Sequence, residues 1–551
     1  MEKQKKRSKG TNFLVQGSIL AVTGIIVRLI GLIYRIPLTN TIGNEGIGVY
    51  NTAYSIYNIM LLISSYSLPL AVSRLVAGRI SLRQYKNARR ISIGAFVFAA
   101  AVGGTICAVT YFGAEVFANM MGMESASYAI KTLAPTILVM AFLGVLRGYF
   151  QGHGTMIPTA FSQLIEQIFN AVVSVAAGYF LFAKGLTVDT AQGTVHYYSA
   201  AYGAAGGTIG TGIGALSALL FCIFVYLVYR RVERAQCRRD PHRSQESYQH
   251  IAKVLLMTIV PVLVSTTIYQ VSTIVDQGIY AQYLNGADAG YYKAIWGAYS
   301  GKYTVLIHVP TAIAASLSSS IIPSMAAAIS RNNKTEIVDK TGTAIRFNMV
   351  IAFPATVGLA VLASPIMNLL FSKDNAAAIT MMIIGSSAVL FNALSTITNS
   401  VLQGIGNIWI PVKNAIISLI VHVGILALLL WVFDLDIYAV VIANIFFYVF
   451  MCVLNNLSIR RILNYRQEWI KTFVCPLFSS AIMGLFTYLT YRLMHLLSGS
   501  NLLAVVFAIV VAVISYMILM LLTKGVDEVD LIHFPKGRKI ISLARKLHLL
   551  N

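Results

Sequence analysis

AVVFAIVVAVISYMILMLL, running from Ala504 to Leu522, is apolar on nearly every face. A strand in a lipid-spanning barrel alternates apolar and polar residues, and a helix laid on a soluble core keeps a polar stripe. A segment with neither pattern reads as a helix surrounded by hydrocarbon, where each backbone polar group is satisfied within the segment. Working outward, similar runs recur along almost the whole chain. About fourteen approach the roughly 20 residues that a ~30 Å hydrocarbon layer requires. They lie at roughly 13–36, 53–77, 91–113, 131–151, 159–183, 200–229, 251–276, 294–325, 345–371, 378–403, 411–433, 437–459, 470–492 and 502–523. The fold class expected is an all-α polytopic membrane protein.

Composition agrees. The 551 residues are 57% hydrophobic and only 11% charged, with a mean hydropathy of +0.72, too little charge to cover a soluble protein of this size. The net charge of +22 is dispersed over short loops. Lys3, Lys5, Lys6, Arg7 and Lys9 precede the first span; Arg79, Arg83, Lys86, Arg89 and Arg90 follow the second; Arg230, Arg231, Arg234, Arg238, Arg239 and Arg243 follow the sixth. Arg460, Arg461, Arg466 and Lys471 follow the twelfth, and Lys536, Arg538, Lys539, Arg545 and Lys546 lie in the tail, whereas the intervening loops hold few cations, such as Lys184, Lys293 and Lys373. That alternation is the positive-inside pattern of a multi-pass membrane protein with both termini cytoplasmic. With no recognition module beside the basic residues, no nucleic-acid partner is expected. Cys107, Cys222, Cys237, Cys452 and Cys475 show neither disulfide nor metal-site spacing. The first apolar run is too long for a signal-peptide core and reads as a retained helix.

The two halves repeat. Tyr149-Phe150-Gln151-Gly152-His153-Gly154, followed by Pro158, returns about 252 residues later as Val401-Leu402-Gln403-Gly404-Ile405-Gly406, followed by Pro411. Leu68-Pro69-Leu70-Ala71 likewise matches Val309-Pro310-Thr311-Ala312, and Gly48-Val49-Tyr50 matches Gly290-Tyr291-Tyr292. Repeats with an even number of spans run in the same direction, so two parallel six-helix lobes are expected, with substrate between them. The expected organisation is an N-terminal lobe at 1–230, a basic cytoplasmic linker at 231–250 and a C-terminal lobe at 251–460. Two additional helices follow at 461–523, then a basic amphipathic tail at 524–551, whose residues 531–550 suit the surface of an anionic leaflet.

Charges inside spans are costly, about 2.5–3.5 kcal/mol for a central Arg, so the few present carry information. Arg28 and Arg35, two helical turns apart, share a face of the first span. Arg74 lies toward the cytoplasmic end of the second span, and Lys302 about eight residues into the eighth. Asp276 is near the outer end of the seventh, where the repeat sets Gln270 and Gln277 opposite Arg28 and Arg35. Arg28 and Lys302 point to a water-filled cationic cavity; Arg35 and Arg74 either join it or snorkel to the surface, and Asp276 is an alternative ion-pair partner for Arg35. Arg147 and Glu166 flank one hairpin and read as a structural pair, and His308 and His422 as hydrogen-bonded core residues. Pro69, Pro261, Pro310, Pro323 and Pro354 mark bends, with Pro69 and Pro310 the candidate hinges.

The stretch LRGYFQGHGTMIPTAFSQLIEQ from Leu146 to Gln167, the pattern Arg28-x-x-Gly31-x-x-Tyr34-Arg35 and the six-plus-six-plus-two arrangement resemble the Gram-positive SpoVB and YtgP polysaccharide-biosynthesis branch of the MurJ-like flippases. Their superfamily also holds MATE exporters and Wzx flippases. The resemblance covers almost the entire chain. It implies translocation of lipid II, the undecaprenyl-diphosphate-linked peptidoglycan precursor, from the inner to the outer leaflet by alternating access. Arg28, Arg35 and Arg74 look like the cavity arginines of the family, while Lys302, eight residues before Pro310, departs from its usual Arg. The last two helices resemble those forming a groove for the polyprenyl tail.

The expected partners are this undecaprenyl-diphosphate-linked glycan and the lipid bilayer, with cell-wall synthesis or division machinery as a further candidate. No cofactor or metal is expected, and energy would come from the membrane potential or an ion gradient. Rival readings are a Wzx-type exporter of another lipid-linked oligosaccharide and a MATE-type cation-coupled drug exporter, which would be expected to carry acidic cavity residues. An enzyme would need catalytic carboxylates at a membrane face, and the compact pair Asp434 and Asp436 reads as a turn.

Overall fold

The computed structural model describes residues 23–24, 26–66, 68–238, 240, 246–284, 289–330, 333–372 and 374–526. The basic N-terminal residues, the 531–550 segment and the side chains of Pro261, Gln270 and Pro323 lie outside the described set. Among the described residues every regular element is helical. Ten helices among the described residues are long and apolar enough to cross a membrane, or eleven if Ala376–Gly385 and Ser387–Gly404, bent by 47°, form one span. This stands below the expected fourteen. One of the ten, Ile26–Ser81, has 56 residues, about 84 Å of helix, far beyond one crossing. The Tyr248–Tyr283 and Thr304–Ser330 helices occupy the expected seventh and eighth positions and are not among the ten.

The Ile26–Ser81 stretch is broken twice. Gly43 has φ 72° and ψ 179°, a conformation that leaves the helix and favours a residue without Cβ. Further on, the backbone becomes π-helical at Leu62–Tyr66, just before Pro69. A second π-helical segment, Ala298–Tyr303, precedes Pro310 in the related part of the second repeat.

The chain forms two compact units, Met1–Gly297 and Ala298–Asn551. The first reaches beyond the expected 1–230 lobe because later helices are built into it. Ile251 and Leu255 share a core with Leu68, Val72 and Ile91. The backbones of Gly48 and Gly297 cross so closely that a Cβ on Gly48 would lie 2.4 Å from the Lys293 carbonyl oxygen, and one on Gly297 1.8 Å from that of Asn44. The crossing joins segments that the repeat makes equivalent.

Within this unit Ile157–Gln192 (36 residues) and Tyr197–Arg238 (42 residues) form a long hairpin. Small residues draw its arms together. Cβ atoms on Gly206, Gly210 and Gly214, spaced four apart, would come within 2.3, 2.2 and 2.4 Å of Ala177, Ser174 and Glu166, the close backbone approach that small-xxx-small seams permit in lipid. Asp189 closes the turn, accepting from Thr194 Oγ1 at 2.6 Å and from the Tyr198 and Ser199 amides at 2.9 Å. The corresponding hairpin of the second unit is shorter, Trp409–Trp431 (23 residues) and Ile437–Leu463 (27 residues). Between its arms Asp434 and Asp436 have φ of 53° and 48°, a tight turn.

In the second unit, the last two helices share the fold's interior. Tyr516 and Met520 pack with Val350 and Met483, the Tyr516 hydroxyl donates to the Val350 carbonyl at 2.8 Å, and Asn501 Nδ2 donates to the Pro365 carbonyl at 3.0 Å.

Candidate functional site

The first-span pattern and the Leu146–Gln167 stretch meet in space. Gly31 faces Gln167, whose Nε2 would lie 3.0 Å from a Cβ at that glycine. Four residues later, half-buried Arg35 sits with its guanidinium carbon 5.9 Å from the centre of the Tyr54 ring, near the Tyr34 hydroxyl. The Tyr34 and Tyr50 hydroxyls are 3.2 Å apart, Tyr50 stacks on Tyr54 at 5.3 Å and Tyr54 meets Tyr57 edge-on at 5.4 Å. Positions 50, 54 and 57 fall on one helical face. Aromatic faces attract a guanidinium, and phenol hydroxyls can exchange hydrogen bonds with a ligand's oxygens.

A polar chain continues from these rings. The Tyr54 hydroxyl lies 3.5 Å from Thr211 Oγ1, which donates to Asn170 Oδ1 at 3.3 Å; the Ser174 hydroxyl reaches the same oxygen at 2.9 Å. One turn before Asn170, Glu166 accepts from Arg147 Nη2 at 2.7 Å, and Arg147 Nε donates to Ser162 at 2.9 Å. Arg147 and Glu166 therefore form a pair within the bundle, their side chains 10% and 22% exposed. The repeat sets Asn399 opposite Arg147 and, counted from Pro158 and Pro411, Leu419 opposite Glu166, so the second unit has no such pair at those positions.

The remaining candidates are distributed unevenly. Arg28 and Arg74 are exposed in the first unit. Gln277 is fully buried and donates through Nε2 to Thr52 at 2.6 Å and to Tyr292 at 3.2 Å, while Tyr292 donates to the Met121 carbonyl at 2.7 Å. Asp276 beside it is 2% exposed. Lys302, in the second unit, is also 2% exposed. Its ammonium donates to Asn375 Oδ1 at 2.9 Å and to the Asp374 carbonyl at 3.2 Å, and lies 5.6 Å from the Phe371 ring centre. These two hydrogen-bond partners are on the short connection before Ala376, so Lys302 helps to fasten that connection. Half-exposed Pro69 and Pro310 follow the two π-helical segments. His422 is fully buried, edge-on to Phe447 at 5.8 Å, and His308 is exposed. Among the described residues no cluster of three or more His, Cys, Asp or Glu could hold a metal.

The long apolar helices and their packing define the fold of a multi-pass membrane protein, one shared with solved MATE and MurJ structures. A solved inward-facing multidrug-resistance MATE transporter of the MOP superfamily aligns with a TM-score of 0.65 at 16% identity, covering 81% of this chain and 98% of that one. A solved lipid II flippase MurJ, in an inward closed conformation, aligns with a TM-score of 0.63 at 16% identity, covering 91% and 97%. The chain belongs to the polysaccharide biosynthesis protein family, whose sequence signature matches residues 14–329. Among curated relatives, stage V sporulation protein B of Bacillus subtilis is 24% identical over 96% of this chain and 99% of its own. Lipid II flippase MurJ of the same organism is 22% identical over 86% and 87%.

Proposed function

We propose that this protein is a flippase for an undecaprenyl-diphosphate-linked glycan, and that its cargo is the peptidoglycan precursor lipid II. The observation that carries the reading is Arg35, set among Tyr34, Tyr50 and Tyr54 inside the first unit. A diphosphate cannot cross hydrocarbon unaided, since burying an isolated ion costs far more than a membrane protein's stability. A permanently charged guanidinium donates paired hydrogen bonds to phosphate oxygens, and the surrounding hydroxyls suit the first sugar. Arg28 and Arg74, exposed on the same unit, would pass the head group along this path. Similarity to stage V sporulation protein B and to MurJ over most of each chain supports this choice of cargo. The MurJ structure also covers more of this chain than the MATE structure does. Movement would follow alternating access, bending at the π-helical segments beside Pro69 and Pro310, with a membrane potential or ion gradient as the energy source.

The test is complementation of a bacterial strain depleted of its own lipid II flippases, scored by lipid II accumulating on the cytoplasmic side. The wild-type chain is expected to clear the accumulation, and Arg35→Ala to lose at least tenfold in rate at unchanged membrane abundance. Full rescue by Arg35→Ala would remove the site from the mechanism. Failure of the wild-type chain to clear lipid II, with export of another polyprenyl-linked oligosaccharide intact, would assign a different glycan.

A further inference from the structure

Apart from the Arg35 site, the first unit contains a cavity of about 530 Å³ walled by five cations, Lys86, Arg89, Arg90, Arg234 and Arg238, with Cys237 and Ile93 completing the lining. Two helix ends build it. Lys86, Arg89 and Arg90 occupy the first turns of Tyr85–Phe112, whose opening turn holds no acid, and Arg234 and Arg238 come from the final turns of Tyr197–Arg238. Cations at a helix N-terminus oppose the helix dipole, and five on one concave wall repel one another, so the arrangement costs stability unless an anion offsets it.

Acids near the wall offset only part of its charge. Asp240 Oδ2 accepts from the Lys86 backbone amide at 2.7 Å, Glu246 pairs with Arg79, and Glu233, 4% exposed, has the Tyr226 hydroxyl on its carboxylate at 3.4 Å and the Arg89 and Arg230 charges beside it. The Arg90 guanidinium stacks on Tyr248, 4.4 Å from its centre, which fixes the direction of one donor fork. The wall then turns apolar. Ile93 is 41% exposed at the cavity and Val97, one turn on, 65% exposed. On the other helix Leu227, two turns from Arg234, is 54% exposed. A small hydrated anion needs no such apolar continuation, whereas a lipid with a charged head and hydrocarbon tail matches both parts.

We propose that this cavity binds the headgroup phosphate of an anionic membrane phospholipid, its acyl chains lying along Ile93 and Val97 and against Leu227. Arginine forks hold the phosphate oxygens, and the two helix ends are clamped through the shared anion.

The experiment uses the full chain in nanodiscs of phosphatidylcholine with or without phosphatidylglycerol, reading lipid retained on release by native mass spectrometry and Tm in parallel. The wild type is expected to retain phosphatidylglycerol selectively and to gain Tm from it. The double variant Arg89→Gln, Arg234→Gln should lose retention at least fivefold, together with the Tm gain. Arg89→Lys with Arg234→Lys should restore part of both, and Arg460→Gln with Arg461→Gln, basic positions in the second unit, should leave both unchanged. Should the double variant elute as aggregate, the single Arg238→Gln takes its place under the same criterion. Undiminished retention in the pocket variants overturns the proposal. So does an equal Tm gain from millimolar inorganic phosphate in pure phosphatidylcholine, which would make the ligand a free anion.

Discussion

A guanidinium resting against tyrosine rings keeps its charge while exchanging part of its hydration for aromatic faces and hydroxyls. That is the state of Arg35 beside Tyr54 and Tyr34. Tyr54→Ala should lower transport about as much as Arg35→Ala, while Tyr54→Phe, which keeps the ring and removes the hydroxyl near Thr211, should retain most of it; vesicle uptake of a labelled polyprenyl-diphosphate substrate measures both. Arg147 has a different duty. Removing it leaves Glu166 partly buried without its partner, so Arg147→Met should cost about 2–4 kcal/mol, somewhat below the loss for a fully enclosed pair, and adding Glu166→Met should recover most of it in thermal scans. The sequence made the charges legible because an Arg in an apolar run is conspicuous. It left the tyrosines unread: Tyr50, Tyr54 and Tyr57 repeat at helical spacing, but tyrosine in a membrane segment is so often an interface anchor that spacing alone assigns no role. Lys302 shows the converse, since its depth was read from position along a span while its partners, Asp374 and Asn375, come from a distant connection.

At the scale of elements, hydropathy located the runs but not their breaks. The second span was expected to begin near 53, yet the helix resumes directly after Gly43, because Asn44 to Thr52 is polar enough to hide its helical burial against the Ala289–Gly297 helix. Gly43→Ala meets nothing within 4 Å, so its cost is backbone strain alone, about 1–3 kcal/mol. Gly297→Ala meets the Asn44 carbonyl and should cost a similar amount, about 1–3 kcal/mol, by forcing the crossing apart. Comparing the two variants' Tm in detergent separates a turn's demand from a contact's. The π-helical segments before Pro69 and Pro310 have no sequence signature beyond the proline itself. Pro69→Ala should leave Tm equal or higher while slowing transport severalfold, if bending there belongs to the cycle; unchanged transport would make the kink passive.

For the molecule as a whole, the repeat was readable because Gln-Gly and Pro motifs recur in the same order in both halves, whereas the division at Gly297 follows from packing that no local pattern encodes. The two C-terminal helices looked like an addition, and in sequence they are one. Physically they complete a core: Tyr516, Met520 and Met483 close over Val350. Truncation after Leu463 should therefore not leave a working twelve-helix transporter; loss of the monodisperse peak in fluorescence-detected chromatography is the expected outcome, and a stable truncated protein would show those helices to be dispensable.

The unequal hairpins have a practical corollary. With arms of 36 and 42 residues against 23 and 27, the Asp189-clasped tip extends about 20 Å further along its own axis than its counterpart does, at 1.5 Å per residue. Membrane proteins submerged in a micelle are hard to orient in electron micrographs, since few features stand clear of the detergent belt. The first unit's tip, clasped by three hydrogen bonds to Asp189, is therefore a place to graft an antibody epitope that marks the particle image.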